Sequence, residues 1–145
     1  MQDILIPKLW RYVTENNPDL LLALQEEGSV TSYFQQKARL AAKLSKQMQA
    51  EMKPACFIEE QCMDALTSEL RPSKYNYLKA VLEEEFAGEY QRLRENGTLT
   101  YEIANLIRFC QPVFDELTFN EETEDSPRLR YAVIGSIQMY LETTR

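Results

Sequence analysis

SVTSYFQQKARLAAKLSKQMQAEMKP, residues 29–54, reads as one long amphipathic helix. Val30, Phe34, Ala38, Ala41, Leu44, Met48 and Met52 recur at steps of three and four, so they fall on one stripe of a 3.6-residue period. Ser29 or Thr31 caps its start. Pro54 ends it, because the residue before a proline is pushed out of the helical region.

The same period runs along the rest of the chain, and no segment alternates as a half-buried strand would. A helix from about Asp3 or Pro7 to Asn16 carries Leu5, Leu9, Tyr12 and Val13. Asn17-Pro18-Asp19 then supplies a cap, a first-position proline and a dipole-favoured acid for a short helix that Gly28 closes. Pro54 also opens the next helix, with Ile58, Cys62, Ala65, Leu66 and Leu70 inward, and Pro72 stops it. Ser73 caps a stretch whose stripe Leu78, Leu82, Phe86, Tyr90, Leu93 runs through Gly88 to the Asn96-Gly97 stop. Thr98 or Thr100 starts the helix of Ile103, Leu106, Ile107, Cys110, Phe114 and Leu117; Pro112 inside it predicts a kink near Arg108. Ser126 and Pro127 open the last one, with Leu129, Val133, Ile137 and Leu141 on one side.

The fold class is therefore all-α: a compact irregular bundle of five main helices plus one short helix, expected as a single helical domain over residues 1–145. At 145 residues, 44% hydrophobic and 27% charged, the chain can bury a core without a disulfide or metal staple. Cys56, Cys62 and Cys110 are an odd number with no C-x-x-C spacing, so they read as small buried apolar residues in a reducing compartment. No signal peptide or membrane span is legible, which places the protein in the cytoplasm.

Histidine is absent. That removes the commonest general base and metal ligand, and with them Ser-His and Cys-His nucleophiles and His-ligated zinc. No glycine-rich phosphate loop exists either. Glu83-Glu84-Glu85 with Glu89 invites a metal or two-carboxylate reading, since Glu85 and Glu89 share a face of a continuous helix; a solvated acidic face is the plainer account. Tyr75 and Tyr77 read as core-edge aromatics with a polar tip. No catalytic residue, cofactor or metal site is expected.

The formal charge of −7 is unevenly spread. Asp115, Glu116, Glu121, Glu122, Glu124 and Asp125 lie between Val113 and Ser126 without one basic residue. Conversely, Lys37, Arg39, Lys43, Lys46 and Lys53 face a single acid, Glu51, within 37–53. Arg39, Lys43, Lys46 and Lys53 fall at helical spacing away from the apolar stripe. They form either a solvated face, answered by the acidic segment, or a partner-binding edge for an acidic protein or a nucleic-acid backbone. No aromatic interleaves with them, so base stacking has no platform. Arg71 and Lys74 flank the helix start at Ser73, where the macrodipole favours anions, which makes Arg71, Ser73 and Lys74 a candidate anion site.

Ser73-Lys74-Tyr75 with Leu78, Leu82, Glu85 and Phe86 resembles a family of small helical Bacteroidetes proteins, the domain of unknown function numbered eighteen ninety-six. Asn17-Pro18-Asp19-Leu20 is similar to that family's His-Pro-Glu-Leu, and Cys110, Val113 and Phe114 to its Cys-x-x-Val-Phe. Gly135, Ile137, Tyr140, Leu141 and Glu142 resemble its closing helix. The chain departs from the pattern at Pro112, in 89–98 and in its lack of histidine. The resemblance implies an all-α cytoplasmic bacterial protein, frequent company with mobile elements, and no assigned activity. The leading expectation is a non-enzymatic interaction or accessory protein with a protein partner and no membrane. Two alternatives stand beside it: a nucleic-acid-associated module using the basic edge, and an enzyme built on carboxylates.

Overall fold

A computed structural model describes residues 2–144, which form eight α-helices and no strand among the described residues. They are α1 (Gln2–Asn16), α2 (Pro18–Glu27), α3 (Val30–Ala50), α4 (Ala55–Thr67), α5 (Lys74–Glu85), α6 (Ala87–Glu95), α7 (Leu99–Glu116) and α8 (Pro127–Thr144), with one 3-10 turn at Ser68–Leu70. The count exceeds the expected five main helices and one short one for two reasons. The separately capped segments that open near residues 3, 29, 54, 73, 98 and 126 each form a helix of their own. The segment capped by Ser73 also breaks at Phe86, whose φ of −133° and ψ of 49° leave the helical region. Its N–H still closes α5 on the Leu82 carbonyl at 2.8 Å, while its own carbonyl opens α6 by accepting from Tyr90 at 2.9 Å. Both Phe86 and Tyr90 stay packed on the core beneath them.

The chain divides into two compact units, one reaching to Arg71 and one starting at Pro72. In the first, Leu5, Leu9 and Val13 of α1 meet Phe34 and Ala41 of α3 and Ile58, Cys62 and Leu66 of α4. These are the stripes the sequence periods predict. Each large aliphatic side chain buried this way contributes roughly 1.5–3 kcal/mol. The Lys8 ammonium pairs with Glu59 between α1 and α4, and Lys37 pairs with Glu69 at 2.5 Å. In the second unit, Leu78, Val81 and Leu82 of α5 pack with Ile103, Leu106, Cys110 and Phe114 of α7 and with Leu129, Val133, Ile137 and Leu141 of α8. Tyr75 is buried there and shares a hydrogen bond of 3.3 Å with Thr100, tying α5 to α7. α7 continues through Pro112 to Glu116, and α1 contains Pro7 in its second turn.

Four helix ends close by one geometry. At Gly28 and Gly97 the backbone turns left-handed, and the next N–H bonds back five residues: Ser29 to the Leu24 carbonyl at 2.9 Å, Thr98 to that of Leu93 at 3.0 Å. Met52 and Thr118 repeat the turn with side chains present, at φ of 61° and 54°. Lys53 then donates to Met48 at 3.1 Å, and Phe119 to Phe114 at 2.9 Å. This turn corrects two expectations about α3. The helix stops at Ala50, so Met52 leaves the apolar stripe and is 90% exposed, and Lys53 lies beyond the helix rather than on its basic edge.

Two further corrections concern single residues. Cys56 is exposed, because it opens α4 ahead of the first inward position, Ile58; only Cys62 and Cys110 are buried. Asn17 occupies the N-cap position of α2, but its side chain makes no capping bond. The Leu20 N–H instead bonds the Asn17 carbonyl at 3.0 Å. Among the described residues no helix is long and apolar enough to cross a membrane.

Candidate functional site

The residues expected to hold an anion each have a partner inside the chain. The Arg71 guanidinium turns back onto the end of α4, where Nη2 donates to the Asp64 carboxylate at 2.8 Å and to the Asp64 carbonyl at 3.1 Å. Its Nε donates to the Thr67 carbonyl at 3.4 Å. A cation at a helix C-terminus is favoured by the macrodipole, which removes the electrostatic conflict that the sequence presented. Ser73 caps α5 by accepting the Asn76 N–H at 3.0 Å. The Lys74 ammonium donates to Gln111 at 3.0 Å and lies 5.5 Å from the centroid of the Phe114 ring. Arg71 belongs to the first unit, Ser73 and Lys74 to the second.

The glutamates weighed as an acid or metal pair are separated by the break at Phe86, which puts Glu85 on α5 and Glu89 on α6. Arg130 of α8 holds Glu84 at 2.6 Å and Glu85 at 3.1 Å; Glu89 pairs with Arg92 at 2.7 Å. The hydrogen bond that Arg130 donates to Glu85 is the main reason its guanidinium is held still more firmly protonated. Among the described residues no group of three or more His, Cys, Asp or Glu is placed to hold a metal ion.

The basic edge is built by α3. This helix carries Lys37, Arg39, Lys43 and Lys46 and no acid. Lys37 points away from the others: its side chain is 13% exposed, bonded to Glu69, and 5.5 Å from the Tyr33 ring centroid. Burial and the neighbouring Glu69 push the Tyr33 phenol up to about 12, so it is neutral throughout the physiological range. Lys53, past the end of the helix, lies 5.6 Å from the Phe57 ring centroid. Arg39, Lys43 and Lys46 are left as the edge proper. All three are exposed, seven residues from first to last, which on a helix is about 10 Å. Among the described residues of the first unit none of the three forms an ion pair; the cations that do are Lys8, Lys37 and Arg71.

The acidic segment has a fixed backbone, which the charge count gave no reason to expect. The Asn120 carboxamide oxygen accepts the N–H groups of Glu122 at 2.8 Å and Thr123 at 3.0 Å. Thr123 Oγ1 accepts the Asn120 N–H at 2.9 Å and donates to the Thr118 carbonyl at 2.6 Å. An Asn followed three residues later by Thr is the available signal, since both side chains bond local backbone and favour turns. Phe119 anchors the loop: its ring centroid lies 4.9 Å from that of Phe114 and 5.1 Å from that of Tyr77. Glu121, Glu122 and Asp125 stand exposed above this anchor, with Glu124 half-buried. Among the described residues of the second unit, none of these four joins an ion pair; those formed use Glu84, Glu85 and Glu89.

The chain thus displays two ordered, oppositely charged surfaces, and Glu84, Glu85, Glu89, Arg71, Ser73 and Lys74, which first suggested catalysis or anion binding, are engaged internally. No curated protein and no solved structure matches the chain. The family model described as "Domain of unknown function (DUF1896)" matches residues 7–145, nearly the whole length, and the chain belongs to that family.

Proposed function

We propose that this protein is a non-enzymatic helical interaction factor whose α3 edge, Arg39, Lys43 and Lys46, docks onto an acidic protein surface. One observation carries the reading. A helix of 21 residues contains four cations and no acid, and three of those cations are exposed and, among the described residues of their unit, unpaired. Clustered cations without local counter-charges create a field that steers and orients acidic partners. In this reading the protein is an accessory factor of a mobile element acting in a bacterial cytoplasm, a setting supported by the resemblance read from Ser73, Lys74, Tyr75 and the motifs that follow.

The test is affinity capture from the native host with the wild-type chain and the R39E/K43E/K46E variant side by side. A reproducible partner held by the first and lost by the second is the expected result. Capture that is indifferent to the three reversals, or turnover by the purified chain in a broad enzyme screen, overturns it. A mobility shift of DNA or RNA probes at low salt, abolished by the same reversals, would transfer the edge to a nucleic-acid backbone.

A further inference from the structure

We infer that the acidic surface received by the α3 edge is the 119–125 loop of a second copy of this chain. The inference rests on the proposed docking role of α3 and names its partner. The chain itself supplies a complementary surface: three exposed cations within about 10 Å on one unit, and four acids, Glu121, Glu122, Glu124 and Asp125, within five residues on the other. Among the described residues neither group is paired inside its own unit, so neither breaks a described ion pair of its unit to dock.

Order on the acidic side strengthens the match. A flexible acidic tail would lose conformational entropy on docking, whereas this loop is already fixed by the Asn120 and Thr123 hydrogen bonds and by the Phe119 anchor. The α3 edge is equally ordered, being part of a helix whose opposite stripe is in the core. The excess of acid over base, −7 in total, opposes association at long range. At about 0.1 M salt, however, the Debye length is about 10 Å, comparable with the edge itself, so apposed patches attract while more distant charges are screened.

Sedimentation of the full chain across a concentration series tests this. Average mass should rise with concentration at about 0.1 M salt and return to that of one chain at about 1 M, where the screening length is about 3 Å. R39E/K43E/K46E should stay monomeric, and so should E121K/E122K/E124K. Both alter exposed or half-buried surface positions, and circular dichroism verifies that each stays helical. An equimolar mixture of the two variants should associate again, because each then offers a face complementary to the other. A wild-type chain that is monomeric at every concentration, or association that survives both reversals, or a mixture that stays monomeric, overturns the inference. If self-association fails while the α3 reversals still abolish capture of a different acidic protein, the proposed function stands and this assignment alone falls.

Discussion

Phe119 lies with its ring centroid 4.9 Å from that of Phe114, and its N–H donates to the Phe114 carbonyl at 2.9 Å. One pair of residues therefore closes α7 and anchors the acidic loop, the side-chain contact accompanying the backbone bond as it often does at helix ends of this type.

Phe119→Ala should cost about 2 kcal/mol, below the full range for a buried aromatic because Phe119 is only half-buried. Urea unfolding gives the stability, and hydrogen exchange at the Glu122 and Thr123 amides gives the loop. Faster exchange at those amides is expected, with that of α8 amides rising only as far as global stability falls. Unchanged protection would show that Asn120 and Thr123 hold the loop without the anchor.

At Met52 sequence and backbone disagree. Its left-handed φ of 61° strains an L side chain, and its side chain, 90% exposed, gains nothing from packing. Met52→Gly should therefore stabilise the chain by about 0.5–1 kcal/mol, the relief of strain outweighing the flexibility glycine adds to the unfolded state. Gly28→Ala makes the opposite change at φ 68°, where no atom would meet the new Cβ, and should cost about 1 kcal/mol from backbone strain alone. Equal and unchanged urea midpoints for both variants would refute the account.

The helices and their inward stripes were legible because burial imposes the 3.6-residue period directly on residue type. Leu129, Val133, Ile137 and Leu141 needed no partner to be read, and all four are buried. Phe86 was not legible as a break: its spacing continues the stripe, and only the backbone reveals that two helices share it. Lys53 was misplaced for a related reason. Periodicity extends a helix until something stops it, and Pro54 was the visible stop, whereas the turn at Met52 uses a residue that carries no turn signal. Of the candidate site, the charge segregation was visible in the sequence. Which cations are engaged was not, because Lys37 and Arg71 find Glu69 and Asp64 through tertiary packing.

Alkaline pH should destabilise the protein. Burial raises the Cys110 thiol from 9.0 to about 11, so the folded chain holds this proton after the unfolded chain has released it. The stabilisation is present in full below about pH 9 and is lost as pH rises toward 11, by about 3 kcal/mol. Tyr33, raised from 10.0 to about 12 by burial first and Glu69 second, extends the loss to higher pH. Stability measured against pH should fall less steeply between 9 and 11 in Cys110→Ala than in the wild type, even though the variant is less stable at neutral pH. Parallel curves would remove Cys110 as the cause.

The single Trp makes the two units separately observable. Trp10 is in the first unit, its ring 4.8 Å from that of Phe34, while Cys110 is buried in the second. A single domain over residues 1–145 requires the Trp10 fluorescence transition and the urea dependence of Cys110 thiol exposure to coincide. It also requires Leu66→Ala in the first core and Leu129→Ala in the second, each costing about 2–5 kcal/mol, to move both probes together. Cys62, the other buried thiol, is replaced by alanine in every protein compared, and exposed Cys56 is blocked beforehand, so that Cys110 is the only thiol followed. If Leu129→Ala shifts the thiol transition and leaves the Trp10 transition where it was, the units unfold independently and the single-domain expectation is refuted.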